Sequence, residues 1–228
     1  MVKFLPILLP ILYAWVMYHY SVWRTSRMLD EQSRPLREPA LEQTLQRLAD
    51  AVDLPKIEVF VFDVDPVNGL AAPDGRIFLT RGFLQKYRQD EVTAEELASV
   101  IAHELGHVAM GHTKRRMIDV TGQNAVFVVL AGLLGRFIPI IGIWIARGIS
   151  TALAAGLSRK DEYEADAYAS ALMVKAGFGT GPQKSLFRKL DALTGAAGQA
   201  VPQWLRSHPR TAERIRAIET RDARWQQG

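Results

Sequence analysis

The run His103-Glu104-Leu105-Gly106-His107 constrains this chain more than any other stretch. Two histidines four apart stand one turn above the other on the same face of a helix, so a helix lets both imidazoles reach one metal ion. Glu104 lies beside them, where a carboxylate can take a proton from a water held by that metal. A rigid site of this kind has to sit well inside a buried helix, and the neighbouring residues provide one. Thr93 followed three residues later by Glu96 is a capping box that opens the helix. Leu97, Val100, Ile101 and Leu105 recur at helical spacing and bury one side, and Gly111 is the expected stop.

Two histidines and a water leave a catalytic metal one protein ligand short. The chain has no cysteine, so thiolate sites and disulfides are excluded and imidazole and carboxylate remain. The best third ligand lies in Ser158-Arg159-Lys160-Asp161-Glu162-Tyr163-Glu164-Ala165-Asp166. Helical spacing places Glu162 and Asp166 on one face and Glu164 on the other side. Glu162 can then coordinate while Asp166 holds a ligating histidine by its second ring nitrogen. Alone, such a charged run reads as a solvated helix face; the upstream histidines reverse that reading. Donor type points to one Zn2+ per chain, although manganese or cobalt supports the same geometry in vitro. His112, five residues past His107, falls off the ligand face and reads as structural.

With these residues in place, the sequence resembles the HtpX-like and CAAX-prenyl-protease family of membrane-associated zinc metallopeptidases, of the gluzincin type. The resemblance runs from about Asn68 to Ile218 through four landmarks in order. They are Asn68-Gly69-Leu70-Ala71-Ala72-Pro73-Asp74-Gly75-Arg76-Ile77-Phe78-Leu79-Thr80, the His-Glu-x-x-His helix, Ser158-Arg159 leading into Glu162-Tyr163-Glu164-Ala165-Asp166-Ala167, and His208-Pro209-Arg210-Thr211-Ala212-Glu213-Arg214-Ile215. The resemblance implies His103, His107 and Glu162 as zinc ligands and Glu104 as catalytic base. It also implies an α+β, predominantly helical, zincin-like domain with a small sheet and an amino-terminal membrane helix. His208 becomes a candidate donor to the oxyanion, or a residue that approaches the zinc and restrains activity without substrate; the alternative is a surface histidine before a helix. Arg214 is expected to position Glu162 or Asp166 through paired hydrogen bonds, or else to face water. Gly69-Leu70 departs from the Ala-Phe or Ala-Tyr of many relatives, which touches the substrate-side strand and not the metal.

At 228 residues, 48% hydrophobic and 23% charged, the chain has room for one domain and a membrane anchor. A net charge of +4 invites a nucleic-acid reading, but the arginines form no aromatic-laced patch or binding motif. Many instead border apolar stretches, as at an anionic membrane surface. Phe4 to Trp23 has the length of a spanning helix, with Tyr13, Trp15, Tyr18, Tyr20 and Trp23 as interfacial anchors and His19 among them. A cleaved signal peptide is the rival, and no small-x-small cleavage site follows. The expected division is therefore an anchor over 1–28 and a peptidase domain over 29–228. Arg24, Arg27, Arg34 and Arg37 outnumber Lys3 and place that domain in the cytoplasm, at a bacterial inner membrane.

Within the insertion 124–157, Ala125 to Leu157 is apolar, with Arg136 and Arg147 as its charged residues. The stretches between them are too short to span, so the segment reads as a shallow membrane hairpin with snorkelling arginines, or as a buried helical pair. Membrane contact is favoured by its apolar length. Pro39 to Val52 is an amphipathic helix with Leu41, Leu45, Leu48 and Val52 on one stripe. Ile57 to Phe62 and Arg76 to Leu79 are strands, the second after a Pro73-Asp74-Gly75 turn and available to pair with an extended peptide. Pro182 opens a helix with Leu186, Leu190 and Leu193, Gly195 to Ala200 is a loop, and a last helix carries Ile215 and Ile218.

Together these features predict a membrane-anchored metalloendopeptidase that hydrolyses internal bonds of membrane or membrane-proximal proteins. Two other classes stand beside it. A prenyl-peptide processing enzyme is disfavoured by the single anchor and short insertion. A silent zinc-binding membrane protein is disfavoured by Glu104, since a structural site has no use for a base.

Overall fold

The computed structural model describes residues 5–72, 74–112, 115, 159–195, 208, 211–225 and 227. The expectations for 124–157 and for 196–200 lie outside these residues. Helix α1 (Leu5–Gln32) runs without a break across residue 28 and passes directly into strand β1 (Ser33–Pro35). Its carboxyl end is held by Leu29, 1% exposed, which packs with Phe62, Ala72 and Phe78. Arg24, Arg27, Asp30 and Glu31 charge this end. Among the described residues, no helix is long and apolar enough to cross a membrane.

The expected strands form, shifted by one or two residues, and two short ones join them. Strand β2 (Val59–Phe62) pairs antiparallel with β1 and parallel with β4 (Ile77–Thr80), while β3 (Gly69–Ala71) pairs antiparallel with β4. The order β1-β2-β4-β3 leaves β3 at an edge and pairs β4 on both sides, so the strand expected to receive an extended peptide has no free edge of its own. The β3–β4 turn closes through the Gly75 amide donating to the Ala72 carbonyl at 3.0 Å, with Gly75 at φ +91°. A side chain at that φ is disfavoured, which is why glycine sits there. Both β1 and β3 escape a pattern reading because three residues are too few to show alternation.

Helix α2 (Pro39–Ala51) buries Leu41, Leu45 and Leu48. The parallel β2–β4 connection runs through edge strand β3, and β4 leads directly into α3 (Arg81–Arg88), capped by the Thr80 hydroxyl accepting from the Phe83 amide. Helix α4 (Ala94–Ala109) lies at the centre, opened by the full Thr93/Glu96 capping box. Leu97, Ala98, Val100, Ile101 and Ala102 are all at most 1% exposed and form the core with α2 and the sheet. Burying each large aliphatic side chain contributes about 1.5–3 kcal/mol, so α4 is fixed in place as the fold's axis. Gly111, at φ +68°, follows the Met110 cap and turns the chain off the helix line.

Helix α5 covers residues 159–175 and ends at Gly177, φ +79°. Helices α6 (Gly181–Gly195) and α7 (Thr211–Trp225) complete the described domain. The amino end of α4 is tied to α6 through a buried carboxylate. Glu96, 3% exposed, accepts from the Ser185 hydroxyl at 2.6 Å and the Lys189 ammonium at 2.8 Å. Those bonds and the one from the Thr93 amide outweigh the penalty of burial and hold its carboxyl below the usual range.

Candidate metal centre

The site exists because α4 and α5 cross closely. A Cβ on Gly106 would lie 3.0 Å from both the Cα and the carbonyl oxygen of Ala165, so glycine facing alanine permits the approach. It sets Glu162 of α5 over the two histidines of α4. The ligand-type atoms of His103, His107, Glu162 and His208 all lie within 4.8 Å of one another, and all four residues are buried.

Within this cluster, His103 Nε2 and His107 Nε2 are 3.1 Å apart. Each stands 3.5 Å from an oxygen of Glu162. A tetrahedral ion with bonds of about 2.0–2.1 Å separates its donors by about 3.3 Å, so this triangle is the size of a zinc face. Electron-pair donors held so close in a buried place need a cation or a shared proton between them. The same demand appears in His103: burial lowers its pKa, but the bonds to Asp166 and Glu162 prevail and raise it to about 9. The donor set therefore fits a zinc ion.

The two sequence-expected supports, Asp166 and Arg214, are also here. His103 Nδ1 lies 3.0 Å from Asp166 Oδ1. Arg214 clamps the same carboxylate, Nε donating to Oδ2 at 2.6 Å and Nη2 to Oδ1 at 2.7 Å. Burial alone would raise the Asp166 carboxyl, yet the Arg214 charge and these bonds bring it down to about 2. Arg214 also donates from Nη1 to the His208 carbonyl oxygen at 3.2 Å, which ties the third segment to the other two. Its guanidinium lies 4.5 Å from the centre of the Phe187 ring, so α6 supports it from behind.

Glu104 is 2% exposed, and its Oε1 has no hydrogen-bond partner among the described residues. That atom lies 3.6 Å from His208 Nε2, beyond hydrogen-bond reach. The edge strand approaches it from the other side: a Cβ on Gly69 would meet Val100 Cγ1 at 2.7 Å and Glu104 Oε1 at 3.6 Å. His208 Nδ1 sits 2.6 Å from Glu162 Oε2 and 3.3 Å from His103 Nε2. Burial opposes ionisation of Glu162, but the His208 and His103 charges and bonds win and hold its carboxyl well below the ordinary range.

Sequence reasoning did not anticipate the role of the far side of α5. His112 is fully buried, with Nδ1 2.9 Å from His107 Nδ1 and Nε2 3.0 Å from Glu164 Oε2. His112 stays out of the ligand cluster, as its spacing implied, but it reaches His107 because the helix stops at Ala109 and Gly111 turns the chain back. The only sequence signal was a glycine directly before a histidine.

The model of peptidase family M48 matches residues 35–222, most of the chain. The chain belongs to peptidase family M48. It is 28% identical over 170 residues to the mitochondrial metalloendopeptidase OMA1 of Schizosaccharomyces pombe, covering 72% of this chain and 46% of that protein. It is 30% identical over 161 residues to the metalloprotease LoiP of Escherichia coli, covering 71% of this chain and 61% of that protein. To the protease HtpX of Pseudomonas fluorescens it is 27% identical over 235 residues, covering 86% of this chain and 76% of the relative. The chain thus spans between 46% and 76% of the length of these curated relatives. The matched residues contain every side chain of the cluster, from His103 to Arg214.

Proposed function

We propose that this M48 chain is a membrane-associated zinc metalloendopeptidase that cleaves internal peptide bonds. The observation that carries the reading is a buried carboxylate oxygen of Glu104, without a hydrogen-bond partner among the described residues, beside a zinc-sized triangle of His103, His107 and Glu162. A bound zinc would supply Lewis acidity to a peptide carbonyl and make water a nucleophile near neutral pH. Glu104 takes the proton of that water and returns it to the leaving amine. Asp166, backed by Arg214, orients His103 so that Nε2 keeps its lone pair. In this reading His208 donates to the oxyanion, supported by its Nδ1 lying 2.6 Å from Glu162 Oε2 and its Nε2 3.6 Å from Glu104 Oε1. An extended substrate can add to the outer edge of β3, which is unpaired among the described residues and passes beside Glu104.

Membrane attachment through α1 and substrates among membrane or membrane-proximal proteins, as in quality control, belong to the same reading. Support comes from the large apolar residues that α1 exposes: Leu12, Tyr13, Trp15, Val16, Met17, Tyr20 and Trp23 are each more than 40% exposed. Such a concentration on one helix matches an interfacial or bilayer partner. The arginines that follow favour a cytoplasmic domain.

The test is to incubate detergent-solubilised full chain with unfolded casein and zinc, beside Glu104→Gln, and to measure bound metal in both. Cleavage by the parent alone with metal in both is expected. Metal in neither protein sinks the centre, and metal in both without cleavage of casein or a membrane-protein substrate sinks the peptidase reading.

A further inference from the structure

The chain Glu164–His112–His107 reaches the metal cluster from the side of α5 opposite Glu162. Its proton arrangement follows from donor and acceptor counting. An ionised carboxylate only accepts, so the nitrogen of His112 that lies 3.0 Å from Glu164 Oε2 must carry the hydrogen. In a neutral imidazole the other nitrogen, Nδ1, is then an acceptor. With His112 neutral, His107 Nδ1, 2.9 Å away, is the donor, which leaves His107 Nε2 with a lone pair facing His103 and Glu162. Asp166 does the same for His103 directly. His103 and His107 therefore rest on separate carboxylates, one of them acting through an intervening ring.

The neighbours of this relay fix it as well. Asp161 Oδ1 lies 3.7 Å from His112 Nε2 and is paired with the Arg115 guanidinium. Glu164 has Lys160 Nζ at 3.4 Å and Arg115 Nη2 at 3.9 Å. Both carboxylates are thus compensated by basic side chains, so the group serves to hold a histidine and not to bind a second ion. The Arg115 amide donates to the Gly111 carbonyl oxygen at 3.0 Å, which secures the turn that delivers His112.

We propose that His112, oriented by Glu164, is a positioning residue that holds His107 in its Nδ1–H tautomer and thereby sets the affinity of the centre for zinc. The proposal rests on the metal reading above. Partners of this kind typically change metal affinity by about 10–100-fold. Zinc affinity of the detergent-solubilised full chain would be measured by competition with a chromophoric chelator for the parent, His112→Phe, His112→Gln and Glu164→Ala. Urea unfolding of the zinc-free proteins and ring 15N shifts of the histidines accompany it. His112→Phe keeps the ring but has no acceptor, and should weaken zinc by about 10–100-fold. His112→Gln offers a carbonyl oxygen to His107 Nδ1–H and should recover most of the loss, and Glu164→Ala should weaken zinc to a lesser degree. Parental affinity in His112→Phe, or equal weakening in the stably folded Phe and Gln variants, overturns the proposal. Should His112→Phe not fold, parental affinity in Glu164→Ala overturns it. If the parent itself binds no zinc, the metal reading fails separately; an unprotonated His107 Nδ1 in that zinc-free protein would still overturn the relay.

Discussion

Arg214 and Asp166 form a two-point clamp with both side chains 1% exposed, although 48 residues separate them in the chain. The pair joins α7 to α5 and, through His103, to α4. Removing one member leaves a buried charge without its partner, which costs about 3–5 kcal/mol. Arg214→Ala should lower the stability of the metal-free protein by about that amount in urea unfolding. Arg214→Lys should recover only part of it, because an ammonium cannot reproduce the paired geometry. Loss below about 1 kcal/mol for the alanine variant would show that the clamp is solvated in solution.

Gly106 controls the α4–α5 distance. Alanine gains about 1 kcal/mol of helix propensity over glycine. Its Cβ, 3.0 Å from two backbone atoms of Ala165, would force the helices apart at about 1–3 kcal/mol. Gly106→Ala should therefore be destabilising overall and should weaken zinc binding, since Glu162 moves away from the histidines. A stabilised variant with unchanged zinc affinity refutes the close packing.

Glu96 predicts an acid sensitivity. Its folded carboxyl lies below the unfolded value of 4.5, so the stabilisation is complete above about pH 4.5 and is lost as pH falls through the lower folded value. Stability measured from pH 7 downward should fall more steeply for the parent than for Glu96→Gln, and the two curves should converge in acid. Parallel curves would remove Glu96 from the acid transition.

Zinc removal should destabilise the domain without unfolding it, because α4 is anchored by an apolar core independent of the cluster. Free zinc at 100 times its dissociation constant adds about 2.7 kcal/mol. The thermal midpoint should rise with zinc in the parent and stay flat in His103→Ala. A metal-free parent that is unfolded at 25 °C would assign the metal a structural role instead.

His208 separates two roles by the sign of one measurement. As an oxyanion donor, its replacement by glutamine should lower kcat by about 10²-fold with zinc retained. A rise in kcat would identify the imidazole as an occupant that substrate displaces from beside Glu162.

The parts of this molecule legible in the sequence are those set by local chemistry. The capping box at Thr93 and Glu96, the spacing of His103 and His107, the stripe of α2 and the turn at Gly75 depend on residues within a few positions of one another. Short strands and the reach of His112 were not legible. The first carry too few residues to show a period, and the second depends on a positive φ at Gly111 that redirects the chain.

By itself, the sequence determined which donors were available and that two of them share a helix face: a helix repeat fixes this before any folding. Only tertiary structure decided that Glu162 meets that face, that Arg214 and Asp166 close behind His103, and that Glu164 reaches His107 through His112. These pairs are brought together by the close crossing of α4 and α5 and by core burial. Those long-range packing effects act between segments dozens of residues apart and leave no periodic trace along the chain.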